Sequence, residues 1–179
     1  MNMNMRKRAA VLLASAATVA GSLLATAAPA QAYGTLDVRH ARVDTDNCAR
    51  LSGTLAVTPS ANGCYLYDSV DNTYFEKDAD AVAAKAELRD GGKLVSKVEF
   101  HPNGEKLWIY DTANDGDTVY VRVWTARTGW SPVYYAIGTD KVVDIHTVDF
   151  DFNEGEQVRI DIYDNSDATD WITSLWAVA

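Results

Sequence analysis

The chain has 179 residues and carries 25 Asp and Glu against 16 Lys and Arg, a formal charge of −9. That sign repels phosphate, so nucleic acid and anionic membrane surfaces are poor partners, while cations or a basic protein patch stay open. Two cysteines and three methionines are all the sulfur there is.

Residues 1–32 read as an export leader. Arg6, Lys7 and Arg8 form a basic start, Ala9 to Ala25 is mostly apolar, and Ala30-Gln31-Ala32 has the small residues of a cleavage site. Ser15, Thr18, Gly21 and Ser22 interrupt the apolar run, which suits a leader better than a permanent membrane anchor. Cleavage before Tyr33 leaves 147 residues, the size of one ordinary domain. The three leader cations go with it, so 13 Lys and Arg face 25 Asp and Glu and the charge becomes −12. The expected location is extracellular. Met1, Met3 and Met5 leave too, and the mature sulfur is Cys48 and Cys64. In an oxidising compartment two cysteines are most simply one disulfide. Zinc would need more ligands than His40, the one nearby candidate.

Next in order, Leu36, Val38 and Ala41 form a short alternating run, an edge strand or a lead-in. Arg50 to Val57 alternates, Pro59 to Gly63 is a turn, and Cys64 to Tyr67 reads as the return strand of a disulfide-tied hairpin. Asp68 to Asp80 is acidic and reads as a loop or linker. Residues 33–80 therefore form an N-terminal hairpin and linker, and 81–179 the main β domain. Ala81 to Leu88 has helix-forming composition, but Ala84, Ala86 and Leu88 alternate and Asp90-Gly91-Gly92 leads into a clear strand, so a hairpin is favoured. Val98 and Phe100, then Leu107 and Ile109, flank a turn at Pro102-Asn103-Gly104. Val119, Val121 and Val123 follow an Asp-rich turn. Pro132 to Ile137, Lys141 to Phe152 and the Val158, Ile160, Ile162 run are further strands. Trp171 to Ala179 closes the chain with apolar bulk on both faces and is expected to lie between layers. Roughly eight short strands at about ten-residue spacing predict an all-β fold. An antiparallel β-sandwich, Greek-key or Ig-like, is favoured over a small β-barrel.

The AELRDGG hairpin, the KVEFHPNGEKLWIYD strand pair, the DTANDGD turn and the closing NEGEQVRIDIYDN resemble small exported proteins of filamentous actinobacteria. The resemblance runs from Ala84 to the end. It implies a β-rich secreted setting and no catalytic residues.

Two patterns point to binding. Opposite the aliphatic positions of the central strands lie Trp108 and Tyr110, then Tyr120, Arg122 and Trp124, with Trp130, Tyr134 and Tyr135 beyond. Rings with polar edges suit stacking on sugars, and cross-strand packing inside a sandwich is the competing use. Three Tyr-Asp pairs, Tyr67-Asp68, Tyr110-Asp111 and Tyr163-Asp164, precede further acids. Asp111, Asn114, Asp115 and Asp117 make a candidate calcium loop, although they lack EF-hand spacing and such residues also build turns. No other cofactor is implied. The histidines, His40, His101 and His146, are far apart, and no serine sits on a nucleophile turn. The leading expectation is a secreted non-catalytic module that binds a cell-wall or extracellular glycan, or another secreted protein. The alternatives are a small polysaccharide hydrolase and a protease inhibitor using the disulfide-closed Arg50 to Gly63 region.

Overall fold

The computed structural model describes residues 33–113, 115–136 and 142–179, among which there is no helix. The first strands are β1 (Asp37–Asp44), β2 (Arg50–Gly53), β3 (Thr58–Pro59), β4 (Gly63–Leu66) and β5 (Thr73–Glu76). β6 (Val82–Asp90), β7 (Lys93–His101), β8 (Lys106–Asp111) and β9 (Tyr120–Thr125) follow. The chain ends with β10 (Gly129–Trp130), β11 (Tyr134–Tyr135), β12 (Asp144–Asp149), β13 (Gln157–Tyr163) and β14 (Trp171–Val178). The leader lies outside the described residues.

Pairing is antiparallel wherever strands meet. The main sheet has the order β10-β9-β13-β14-β6-β7-β8-β12, with β1 and β2 joined on at β6 and β11 at β9. β14 touches β6 through the single pair Val178 and Val82, and at this seam the sheet curls over. Ala84, Ala86, Leu88, Val98, Phe100, Leu107 and Ile109 from one half then pack on Val121, Val123, Val158, Ile160, Ile162, Leu175 and Ala177 from the other. The result is a β-sandwich made from one curled sheet. Period-two alternation is the cause, because every second residue of β9 and β13 is buried and, except for Thr125, aliphatic. At the β6–β7 hairpin a two-residue turn needs positive φ at both positions, and Gly91 (54°) and Gly92 (86°) supply it.

A second, small sheet has the order β3-β4-β5. Its Cys64, Leu66 and Phe75 pack on Ala41, Val43 and Ala83, so it lies as a lid over the outer face of β1 and β6. The disulfide between Cys48 and Cys64 ties the turn after β1 to this lid. Gly63 lets the lid strands approach, since a Cβ there would meet the Phe75 carbonyl oxygen at 2.2 Å.

Four expectations need correction. β1 is neither an edge strand nor a lead-in, because it pairs along its whole length with β6 and carries β2 on its other side. The return strand β4 pairs with β3 and β5 rather than with β2, so the disulfide joins two sheets instead of tying one hairpin. The segment Asp68 to Asp80 is not a linker, for it contains β5, and Phe75 is fully buried. Finally, β14 is covered on one face only. Leu175 and Ala177 enter the core, whereas Trp171 and Trp176 are exposed.

That asymmetry sets a stability test. Leu175→Ala is expected to cost about 2–5 kcal/mol, the range for a truncated core aliphatic, and Trp176→Ala less than half as much. Urea unfolding of both variants measures this directly. Equal losses would mean that β14 is buried on both faces.

Candidate functional site

The two halves of the curled sheet present different outer faces. On the half under the lid, β6 carries Lys85 and Glu87, and β7 carries Lys97 and Glu99. Register sets Lys85 opposite Glu99 and Glu87 opposite Lys97, an alternating arrangement of charge. All four are buried. Asp68, from the lid, places its carboxylate 2.7 Å from Lys85 Nζ and 2.9 Å from Lys97 Nζ. Lys97 also meets Glu99 at 2.9 Å, reaches Asp71, and lies 4.2 Å from the centre of the Tyr110 ring. Thr73 Oγ1 and His101 Nε2 donate to Glu99 at 2.5 and 3.0 Å. Arg89 holds Glu87 at 2.7 Å, and Lys85 Nζ stands 3.1 Å from Glu87 Oε1 as an ion pair.

These contacts decide the ionisation. Burial alone would raise the Asp68 carboxyl, but hydrogen bonds from Lys85, the Val70 amide and Lys97 outweigh it and hold the group well below the usual carboxylate range. Burial acts the same way on Glu99, and His101, Lys97 and Thr73 pull it down. Lys97 would be lowered by burial, yet the charge of Glu99 and the bonds to Asp71, Glu99 and Asp68 raise it. Asp68, Glu99 and Lys97 are thus held in their charged forms.

Trp108 and Tyr110 belong to this covered face, so two of the predicted sugar-stacking rings are separated from the rest. Tyr110 is fully buried. Trp108 stacks on His101 at 4.4 Å and lines a cleft of about 410 Å³ with Tyr65, Tyr74, Glu76 and Asn103. Its Nε1 is buried with no hydrogen-bond partner among the described residues.

The outer face of β9, β13 and β14 carries no lid. Register sorts it into rows. Trp130, Trp124, Arg159 and Trp176 align across β10, β9, β13 and β14. Arg122, Asp161 and Ser174 form the next row, and Tyr135, Tyr120, Tyr163 and Trp171 the third. Arg159 lies 5.5 Å from the Trp130 ring centre and 5.9 Å from that of Trp176, and Arg122 lies 5.2 Å from Trp130. Asp161, buried in the middle, takes both Arg159 Nε and Nη2 at 2.8 Å, the Ser174 hydroxyl at 2.6 Å and the Tyr163 hydroxyl at 3.3 Å. Trp171 Nε1 donates to Ser174 Oγ at 3.0 Å. The charges at the centre hold the rings around them, while Trp171 (56 %), Trp130 (40 %), Trp176 (39 %) and Tyr135 (41 %) remain open to solvent.

Tyr120, Trp124, Trp130 and Tyr135 are therefore the members of the expected ring set that share this face, whereas Tyr134 packs against the main core. Sequence reasoning missed Trp171, Trp176, Tyr163, Arg159 and Asp161. The alternation of RIDIY was the available signal, since it puts Arg159, Asp161 and Tyr163 opposite the core positions.

At the candidate calcium loop, Asp111 Oδ1 accepts the Ala113 amide at 3.1 Å and Asp115 Oδ1 the Asp117 amide at 3.1 Å, as strand-ending acids do. Asn114 lies outside the described residues. Among the described residues no three carboxylate, His or Cys groups gather to hold a metal ion.

No family model, curated protein or solved structure matches this chain.

The buried cluster gives a pH-dependent prediction. Asp68 and Glu99 have lowered folded values, so their stabilisation is complete above the ordinary carboxylate value of about 4 and is lost as pH falls through the folded values. Lys97 is raised, so its share persists below the ordinary value of about 10.4 and is lost only as pH rises through the folded one. Asp68→Asn leaves two buried ammonium groups without their shared carboxylate and is expected to cost about 3–5 kcal/mol at pH 7. Wild type should lose stability below about pH 4, and the variant should lose less there. Urea titrations at pH 7 and pH 3 check both, and a loss below about 1 kcal/mol at pH 7 contradicts the cluster's role.

Proposed function

We propose that this protein is a secreted, non-catalytic module that binds a cell-wall or extracellular polysaccharide through the open outer face of β9, β13 and β14. One observation carries the reading: four of the five tryptophans, with Tyr120, Tyr135 and Tyr163, share one uncovered sheet face, in register, around Arg122, Arg159, Asp161 and Ser174. Exposed aromatic bulk of this extent is uncommon on a surface without a binding role. Rings supply stacking area at low entropic cost, and the polar groups between them supply direction for hydroxyl groups. Four strands at about 4.8 Å spacing give a face roughly 15 Å wide, long enough for several sugar rings of one polymer. The leader-like start and the disulfide fit an extracellular site of action.

The test is co-sedimentation of the secreted protein with insoluble cellulose, chitin and peptidoglycan. Trp130 and Trp176 are partly exposed and lie outside the core, so the variant carrying Trp130→Ala and Trp176→Ala should keep a cooperative unfolding transition at a modestly lower melting temperature. Binding to the preferred polymer should fall about tenfold per ring removed. Unaltered binding by the double variant would overturn the assignment of the face. Soluble sugars released with time would favour the hydrolase alternative.

A further inference from the structure

Tyr33 is the first residue after the expected cleavage point, and its contacts are those of an anchored terminus. Its ring belongs to the main core, its hydroxyl donates to the Asp117 carbonyl at 3.2 Å, and its main-chain nitrogen lies 3.1 Å from Asp164 Oδ1 and 3.3 Å from Oδ2. Asp164 is itself buried. A peptide nitrogen has one hydrogen and serves one acceptor well, whereas an α-ammonium has three and can serve both carboxylate oxygens together. The surroundings are also acidic. Asp111 at the end of β8, Asp115 and Asp117 on the β8–β9 connection, and Asp164 after β13 all act on the Tyr33 side chain, and Asp170 lines the same hollow.

We propose that the α-ammonium group created by cutting before Tyr33 is the structural counter-ion of Asp164, so that leader removal completes the fold. Hydrolysis of the Ala32–Tyr33 amide by a leader peptidase consumes one water and yields the Ala32 carboxylate and the Tyr33 ammonium, with no other reactant. The new charge lands where a buried carboxylate and its acidic neighbours are concentrated. The effect reaches the aromatic face, because Asp164 directly follows Tyr163 and its amide donates to the Asp170 carbonyl at 2.8 Å, next to Trp171. The ion pair thereby fixes the connection from β13 to β14.

The experiment compares the secreted protein with a form carrying an Ala-Gly insertion after Ala32, which leaves a two-residue extension, each with and without Asp164→Asn. Mass measurement of the secreted wild type should give Tyr33 as the first residue. At pH 7 the extended form should melt about 5 °C or more below it. The α-amino group has an ordinary value near 8, and pairing raises it in the folded state. The gap should therefore be full below pH 8 and close as pH rises through the raised value. Asp164→Asn should lower the melting temperature of the Tyr33 form while adding little to the loss in the extended form. If the Asn variants fail to fold, the pH dependence of the two starts decides alone. A different first residue, equal melting of the two starts at pH 7, a gap independent of pH, or equal effects of Asp164→Asn in both forms would overturn the proposal.

Discussion

A single buried carboxylate, Asp68, lies between two buried lysines, and the layout of the outer faces follows from that contact. Lys85 and Lys97 point away from the core on strands whose outer face is covered. Two ammonium groups so placed would each carry a desolvation penalty of several kcal/mol without carboxylates at contact distance. Register provides Glu87 and Glu99, and the lid provides Asp68 and Asp71. Replacing such pairs with apolar residues can be neutral for stability, so the cluster matters chiefly for position. The lid cannot slide along the sheet without stranding a charge, and the disulfide limits the same movement from its other end.

Once the lid is held over β1 and β6, the aromatic residues divide. Trp108 and Tyr110 join the covered half and help line its charges. The rings of β9, β10, β11, β13 and β14 stay uncovered, organised by the buried Asp161 and the Arg159 it grips. Arg159 is held as a cation first by its hydrogen bonds to Asp161, so a charge persists at the centre of the face. A sheet needs only one buried face to fold, and here the second face of one half is left uncovered.

Much of the fold was legible because alternation is a local property. The aliphatic series at Val98, Leu107, Val121 and Ile160 marked their strands, and Ala84, Ala86 and Leu88 identified β6 in spite of its helix-forming composition. What alternation does not carry is which half of a curled sheet a strand joins. β8 and β9 lie on opposite sides of the core, so Trp108 and Trp124 read as one stripe and stand on separate faces. The lid was hidden for a related reason, since β5 has four residues and sits in an acidic stretch that resembles a solvated loop. Two further signals lie in the sequence. Lys-x-Glu occurs at 85–87 and again at 97–99, placing like patterns on paired strands. The Asp of each Tyr-Asp pair, Asp68, Asp111 and Asp164, proves to have a buried side chain at a strand end, where an exposed turn acid was the simpler reading.

Folding sets Trp108 apart from the other four tryptophans and leaves those four on the uncovered face that we propose binds the polysaccharide. Indole N–H resonances of the ¹⁵N-labelled secreted protein, titrated with soluble oligosaccharides of the polymer it binds, test this residue by residue. The signals of Trp124, Trp130, Trp171 and Trp176 are expected to move together with one binding constant while that of Trp108 stays in place. Movement of Trp108 with the other four unchanged would put the ligand in the cleft beside the lid and contradict that proposal.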